Sequence, residues 1–147
     1  HTDALAFSAL NKIQLKDFDK AYEQIKHALE HETNNDFIYF IAGKIRFMQE
    51  EFEDAKMYFI KSYELQKTYD CEHMLGLCYF ELGNYEQANG IFKHMLEKNP
   101  LNVNLLLNSA KCYEKLGNTD EALKVLDKVV DSFPECEEAQ EMIRKIS

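Results

Sequence analysis

The feature that most constrains this chain is a short phrase that returns at a nearly fixed interval. ELGNYEQA at 81–88 has a near copy, KLGNTDEA, at 115–122, and fainter echoes at 15–21 and 49–55. The four copies close on alanines that are 34, 33 and 34 residues apart, namely Ala21, Ala55, Ala88 and Ala122. A period in this range is typical of stacked supersecondary units. We therefore expect an array of repeats rather than a globular bundle.

The spacing of apolar residues predicts helices along nearly the whole chain. A representative stretch carries Tyr22, Ile25, Ala28 and Leu29 on one helical face, and no segment alternates as a strand would. Short polar or glycine breaks divide the chain into about eight helices of roughly 12–15 residues and a short final one. The predicted class is all-α.

When the four copies are aligned, small residues fall in one column and large apolar residues fall in another. One column holds Ala9, Gly43, Gly76 and Ala110, and another holds Ile25, Phe59, Phe92 and Leu126. A single helical hairpin cannot bury both of its faces, so each must stack on the next, and close helix approach requires a small residue at the crossing. We expect both columns, and the repeating alanines, to be buried.

The repeated phrase itself has the residues of a turn between two helices. Gly83 and Gly117 supply the conformational freedom that ends a first helix, and Asn84 and Asn118 are placed to cap the second. Gly90 falls inside a predicted helix, where close packing is the one reason that we find for it. Two prolines, Pro100 and Pro134, are expected either to stop the second helix or to start the next one.

The third unit, LGLCYFELGNYEQANGIFKHMLEKNP at 75–100, resembles a tetratricopeptide repeat. It carries the residues typical of that family in their places: Leu75, Gly76, Tyr79, Leu82, Gly83, Ala88, Phe92 and Pro100. The fourth unit matches at Ala110, Tyr113, Leu116, Gly117, Ala122, Leu126 and Pro134. The resemblance implies a right-handed α-α superhelix, or solenoid, of four helix hairpins plus a short C-terminal helix.

The resemblance also implies how the chain is divided. We expect a single domain, 1–147, built from repeats at 2–35, 36–68, 69–102 and 103–136. The first two repeats are degenerate, with Lys12 and Arg46 in the tyrosine column. The family tryptophan is absent, and its column holds Leu5, Tyr39, Glu72 and Leu106. Residues 137–147 are either a capping helix or the start of a fifth repeat, and we favour the cap because a terminal unit needs a polar outer face.

Composition argues against nucleic acid and membrane partners. The chain has 17 Lys and Arg against 26 Asp and Glu, a formal net charge of −9, so its field repels phosphate backbones and anionic lipid surfaces. No stretch approaches the roughly 20 apolar residues of a membrane span. Four scattered cysteines are too few for a disulfide scaffold, and reduced thiols favour a cytoplasmic location. Because the chain begins with His1 rather than methionine, we expect it to be a fragment or to carry the remnant of a tag. The cellular compartment therefore depends on any signal that was removed upstream.

Catalytic and metal-binding patterns are poorly represented, so we expect no enzyme activity and no cofactor. There is no glycine-rich phosphate loop, nucleophile elbow or paired CxxC motif. His27 and His31 stand four residues apart, but we identify no third ligand near them, and a solvated surface pair is favoured. Cys78 and Cys112 share a column and are predicted to be small buried residues.

In a tetratricopeptide repeat array, the first helices of successive hairpins line a concave groove. Phe40, Lys44 and Phe47 share one face of such a helix, which favours a peptide with apolar anchors and an acidic group. The candidate peptide-binding groove comprises Phe37, Phe40, Lys44, Phe47, His73, Leu77, Phe80, Asn104, Leu107 and Lys111. The alternative is that some of these aromatic residues belong to the core, because helix register inferred from sequence is uncertain by a residue.

Tetratricopeptide repeat proteins that grip the C-terminal carboxylate of chaperones use Lys, Asn and Arg in these same columns. The matching positions here are Ala6, Leu10, Lys44, His73 and Leu77, of which only Lys44 keeps a compatible charge. A chaperone-tail clamp is therefore disfavoured.

The leading hypothesis is a protein–protein interaction scaffold that binds a partner peptide segment in the concave groove. Two alternatives stay open. The chain is a self-association module that forms a homo-oligomer, or it is the regulatory domain of a larger protein whose catalytic part lies outside it.

Overall fold

The computed structural model describes Ala9, 17–31 and 34–147, and these residues form helices and no strand. The helices with described bounds are α1 (Phe18–His31), α2 (Asp36–Met48), α3 (Phe52–Leu65), α4 (Tyr69–Glu81), α5 (Tyr85–Lys98), α6 (Val103–Lys115), α7 (Thr119–Ser132) and α8 (Glu137–Ile146). The all-α prediction is confirmed. The predicted first helix, with Leu5, Ala6, Leu10 and Lys12, lies outside the described residues except for Ala9, which is helical and fully buried.

Side-chain caps fix where the helices at the start of repeats begin. The Asn35 side chain accepts hydrogen bonds from the backbone N–H groups of Phe37 and Ile38, at 3.0 and 3.4 Å. Thr68 and Asn102 cap α4 and α6 in the same way. Each bond satisfies an N–H group that has no partner within its own helix, which stabilises that end of the helix.

The predicted role of glycine in the turns is confirmed. Gly83 and Gly117 have φ of 81° and 77°, in the left-handed region that a residue with a Cβ rarely adopts. The same column in the second repeat holds Glu50, with φ of 61°. Asn118 caps α7 through a 3.4 Å bond from the Glu121 N–H. Asn84 occupies the matching N-cap position of α5, with backbone angles that resemble those of Asn118, but its side chain makes no cap bond.

The columns of small and large residues are buried as predicted. The repeating alanines, Ala21, Ala55, Ala88 and Ala122, have no exposed area, and neither have Ile25, Phe59, Phe92 and Leu126. A Cβ added to Gly43 would lie 2.7 Å from the Phe59 ring, so this crossing has no room for alanine. Close packing does not explain Gly90, which is exposed and would have no atom within 4 Å of an added Cβ.

The chain divides into two compact units, His1–Leu82 and Gly83–Ser147. In the first unit each helix from α1 to α4 packs on the next, around Ile25, Ile38, Ile41 and Ile45. In the second unit α5 to α8 pack in the same sequential way, around Leu106, Leu107, Leu126 and Val129. The boundary falls between the two helices of the predicted third repeat.

Helix α8 completes the core of the second unit. It buries Ala139 and Met142, and its exposed positions are all polar: Glu137, Glu138, Gln140, Glu141, Arg144 and Lys145. This polar outer face supports our proposal that α8 is a cap. None of the helices in the described part of the chain is long and apolar enough to cross a bilayer.

Candidate peptide-binding surface

Nine of the ten predicted groove residues are at least partly accessible. Phe37, Phe40, Lys44 and Phe47 lie along α2; His73, Leu77 and Phe80 lie along α4; Asn104 and Lys111 lie on α6. Leu107 is the exception, since only 4% of its surface is exposed and it packs in the core of the second unit. It shares its face of α6 with Asn104 and Lys111, which are accessible, so core packing within the second unit buries it and not a different helix register.

Lys111 has a partner within the second unit. Its ammonium lies 2.9 Å from a carboxylate oxygen of Glu138 on α8. Both side chains are roughly half exposed, so the pair contributes little to stability, but it places a carboxylate next to the lysine. With Leu107 buried, α6 offers little of the apolar and basic surface that the sequence predicted.

The first unit has a pocket in the predicted surface. We call it the Phe37 pocket; it has a volume of about 190 Å³ and is lined by Asp36, Phe37, Phe40, Ser62, Thr68 and Asp70. The pocket lies between the start of α2 and the start of α4, and the buried Ser62 of α3 lines it. The Ser62 hydroxyl donates a 2.9 Å hydrogen bond to the Asp36 carbonyl, which fixes one wall. Two of the predicted groove residues, Phe37 and Phe40, therefore line one concavity.

The phenylalanines of α2 serve both the core and this surface. The Phe40 ring packs on the fully buried Phe59 with centroids 5.6 Å apart. The Lys44 ammonium lies 5.7 Å from the centroid of the same ring, in a cation–π arrangement. Phe40 is thus held in place from beneath, and Lys44 is held beside it. Phe40 therefore has a core contact on one side and remains partly accessible on the other.

Helix α4 extends the surface with a second aromatic contact. The rings of Tyr69 and His73 are stacked, with centroids 6.3 Å apart and planes 7° from parallel. Burial lowers the pKa of His73, and the nearby Asp70 opposes this by raising it. A lowered pKa makes His73 a neutral hydrogen-bonding group at pH 7 rather than a second positive charge.

Charge is unevenly distributed along α2 and the start of α4. Asp36 and Asp70 line the Phe37 pocket, whereas Lys44 lies one helical turn beyond Phe40 on α2, with its ammonium beside that ring. A ligand that crosses this surface therefore meets negative charge at the pocket and positive charge beyond Phe40. The sequence prediction had only the positive half of this pattern.

Four residues of the pocket are not among the predicted groove residues: Asp36, Ser62, Thr68 and Asp70. Thr68 carried a usable signal, since a threonine before a helix is a typical cap. Asp36 opens a helix and looks like an ordinary first-turn acidic residue. Ser62 lies on a second helix, and nothing in its spacing showed that it would turn its hydroxyl towards α2.

The cysteines have the environment of packing residues. Cys71, Cys78 and Cys112 are free, fully buried thiols, as predicted for the last two, and Cys136 is half-buried. Burial raises the pKa of Cys78 and of Cys112 to about 12. A thiol with such a pKa is protonated at pH 7 and is a poor nucleophile or metal ligand.

Comparison with known proteins identifies similar sequences. The sequence model described as "Tetratricopeptide repeat" matches residues 78–146. BBSome complex member BBS4 of Bos taurus is 31% identical over 112 residues, which cover 76% of this chain and 21% of that protein. The Hsp70-Hsp90 organizing protein of Triticum aestivum is 31% identical over 136 residues, covering 89% of this chain and 21% of that protein. The chain spans about one fifth of the length of these relatives.

Solved structures show the same architecture. A crystal structure of MamA aligns with a TM-score of 0.81 at 23% identity, covering 89% of this chain and 72% of that chain. A double mutant of MamA from RS-1 aligns with a TM-score of 0.89 at 14% identity, covering 99% and 82%. At these identities the likeness shows the fold alone.

Proposed function

This chain belongs to the tetratricopeptide repeat family, as its sequence predicted, and from that premise we propose that it binds a partner peptide on the α2–α4 face of its first unit. Tetratricopeptide repeat proteins generally mediate protein–protein interactions and are typically non-catalytic scaffolds. The observation that carries the proposal is the Phe37 pocket, where residues of α2 and α4 that do not repeat between copies meet in one concavity.

The size of the pocket favours a side chain over a small molecule. Pockets for drug-sized ligands usually measure about 300–1,000 Å³, and this one measures about 190 Å³. One aliphatic or aromatic side chain of a peptide, packed on Phe37 and Phe40, fits this volume. Burying such a side chain contributes roughly 1.5–3 kcal/mol.

The charges around the pocket define the rest of the ligand. Asp36 and Asp70 favour a basic or hydrogen-bond-donating group next to the anchor, and Lys44, whose ammonium lies beside the Phe40 ring, favours an acidic group on the far side of Phe40. Exposed ion pairs contribute about 0–1 kcal/mol each. One anchor and two such contacts contribute at most about 5 kcal/mol, which corresponds to a weak complex with a dissociation constant on the order of 0.1 mM or weaker.

A peptide selection tests the proposal without a known partner. Peptides selected from a random phage-displayed library would be labelled, and their affinity for the protein measured by fluorescence anisotropy. We expect an apolar residue flanked by a basic and an acidic group in the selected sequences. Lys44→Glu should weaken binding about tenfold, and Phe40→Ala should weaken it further.

Two variants on α3 serve as matched controls. Met57→Ala removes an exposed apolar side chain and Lys61→Glu reverses an exposed charge, and both should leave peptide affinity unchanged. Because Phe40 also packs on Phe59, circular dichroism must show that the Phe40 variant is folded. Unaltered affinity in a folded Lys44→Glu, Phe40→Ala double variant would rule out this surface.

A further inference from the structure

We propose that His27, Glu30 and His31 form a binding site for a divalent first-row transition metal ion such as Zn²⁺. The three side chains are exposed in the last turn of α1, and one ligand atom of each lies within 4.8 Å of the other two. The prediction that the two histidines have no third ligand nearby was wrong. Glu30 lies next to His31 in sequence, and helical spacing brings it onto the face of His27.

Helix geometry accounts for the cluster. Residues at i, i+3 and i+4 are neighbours on a helix surface, so His27 meets both Glu30 and His31. His27 Nδ1 lies 3.6 Å from a Glu30 carboxylate oxygen, and the two imidazole rings are 5.0 Å apart and nearly perpendicular. Ala28, which follows His27 in sequence, is fully buried and holds this part of α1 against the core.

The distances are compatible with one tetrahedral ion. Ligand atoms about 2.0–2.2 Å from such an ion lie roughly 3.3–3.6 Å from each other. The His27–Glu30 pair already has this separation. The widest separation in the cluster, 4.8 Å or less, closes by little more than about 1 Å, which the exposed side chains reach by rotation.

The local field favours a cation at this position. The cluster lies at the C-terminal end of α1, where the helix dipole places partial negative charge. Lys26, the nearest lysine in sequence, directs its ammonium over the Tyr22 ring, 5.7 Å from the centroid. The formal charge of the whole chain is −9, which also attracts divalent cations.

The donor set selects among metals. Two imidazoles and one carboxylate suit Zn²⁺, Ni²⁺ and Cu²⁺, whereas Mg²⁺ and Ca²⁺ prefer sites made only of oxygen atoms. Three protein ligands leave one tetrahedral position for water or for a donor atom of another molecule.

Isothermal titration with Zn²⁺ tests the site in the intact chain. The sequence has five histidines, so a variant with His1, His73 and His94 replaced by alanine keeps only the proposed pair. We expect both the parent protein and this variant to bind one Zn²⁺ with similar affinity. In the parent, His31→Ala and His27→Ala should each weaken binding about tenfold or more, and Glu30→Gln should weaken it less.

The controls distinguish the loss of a metal-ligating side chain from unfolding of the protein and from Zn²⁺ binding to a thiol. Alanine has the highest helix propensity, so the histidine variants should keep the far-ultraviolet circular dichroism of the parent. Cys136→Ala, which removes the half-buried thiol, should leave Zn²⁺ affinity unchanged, and Mg²⁺ should not compete. No Zn²⁺ binding to the parent, or unchanged binding in a His27→Ala, His31→Ala double variant, would overturn the proposal.

Discussion

At the scale of single residues, the crossing between α2 and α3 leaves no room for a side chain at Gly43. An added Cβ would lie 2.7–2.9 Å from three atoms of the Phe59 ring, which is fully buried and cannot move aside freely. We expect Gly43→Ala to lower the free energy of unfolding by about 1–3 kcal/mol. The same substitution at the exposed Gly90 should raise it by about 0.5–1 kcal/mol, because alanine favours the helix. Urea unfolding of both variants checks the opposite signs.

The turn before α3 holds a strained residue. Glu50 occupies the column of Gly83 and Gly117 and has a positive φ, which costs a residue with a Cβ roughly 1–2 kcal/mol. Glu50→Gly should therefore raise the free energy of unfolding by about 0.5–1 kcal/mol, despite the greater flexibility of glycine in the unfolded chain. Gly117→Ala is the reciprocal control and should be destabilising. A destabilised Glu50→Gly variant would show that the turn is not strained in solution.

The burial of Cys112 makes its contribution to the free energy of unfolding depend on pH. Burial raises its pKa from the ordinary 9.0 to about 12, because the buried site disfavours the thiolate. Its contribution to stability is therefore complete below pH 9 and is lost as the pH rises from 9 to 12. The difference in unfolding free energy between the wild type and Cys112→Ala should shrink across this range. A difference that stays constant up to pH 11 would contradict the raised pKa.

At the scale of elements, a cation–π contact joins neighbouring helices in two successive copies. In one copy the aromatic residue is on the first of the two helices, and in the next copy it is on the second. In the first copy Tyr22 of α1 is the aromatic partner, and the Arg46 guanidinium of α2 lies 4.6 Å from its ring centroid. In the second copy the lysine, Lys56 of α3, lies 5.6 Å from the ring of Tyr79 on α4. The columns hold a cation and an aromatic residue in either order, which preserves the cation–π attraction.

Arg46 also ties α2 to α3. Its guanidinium donates a 2.6 Å hydrogen bond to Asp54, and Tyr22 and Tyr58 share a 2.9 Å hydrogen bond beside it. We expect Arg46→Ala to lower the free energy of unfolding by about 1–3 kcal/mol, since only 18% of the arginine side chain is exposed. A double-mutant cycle with Asp54→Ala should give a coupling of about 1 kcal/mol. If the effects of the two substitutions were additive, the ion pair would contribute nothing to the free energy of unfolding.

The sequence predicted the helices and their contacts because these features repeat. The buried alanines and the large apolar residues each recur in four aligned copies, and the turn glycines recur in two. The Phe37 pocket depends on Ser62 and Asp36, which occur once and act through a hydrogen bond between helices. Leu107 lies on the same face of α6 as the accessible Asn104 and Lys111, and its burial depends on core packing in the second unit that its column does not show.

At the scale of the whole molecule, the two kinds of position have different roles. Residues that repeat, such as Ala88 and Phe92, build the cores. Residues that differ between copies, such as Phe40 and Lys44, form the surface where we propose that a peptide binds. If self-association were the function instead, sedimentation velocity would show a mass that rises with protein concentration.

The most direct test of the central claim is a nuclear magnetic resonance titration of the isotope-labelled protein with a selected peptide. The proposed site predicts the largest chemical-shift changes at the start of α2 and of α4, in Phe37, Phe40, Asp70 and His73, with Lys44 also affected. The exposed face of α3 around Met57 and Lys61 should remain unchanged. Shifts concentrated on α3, or confined to residues 83–147, would contradict the account.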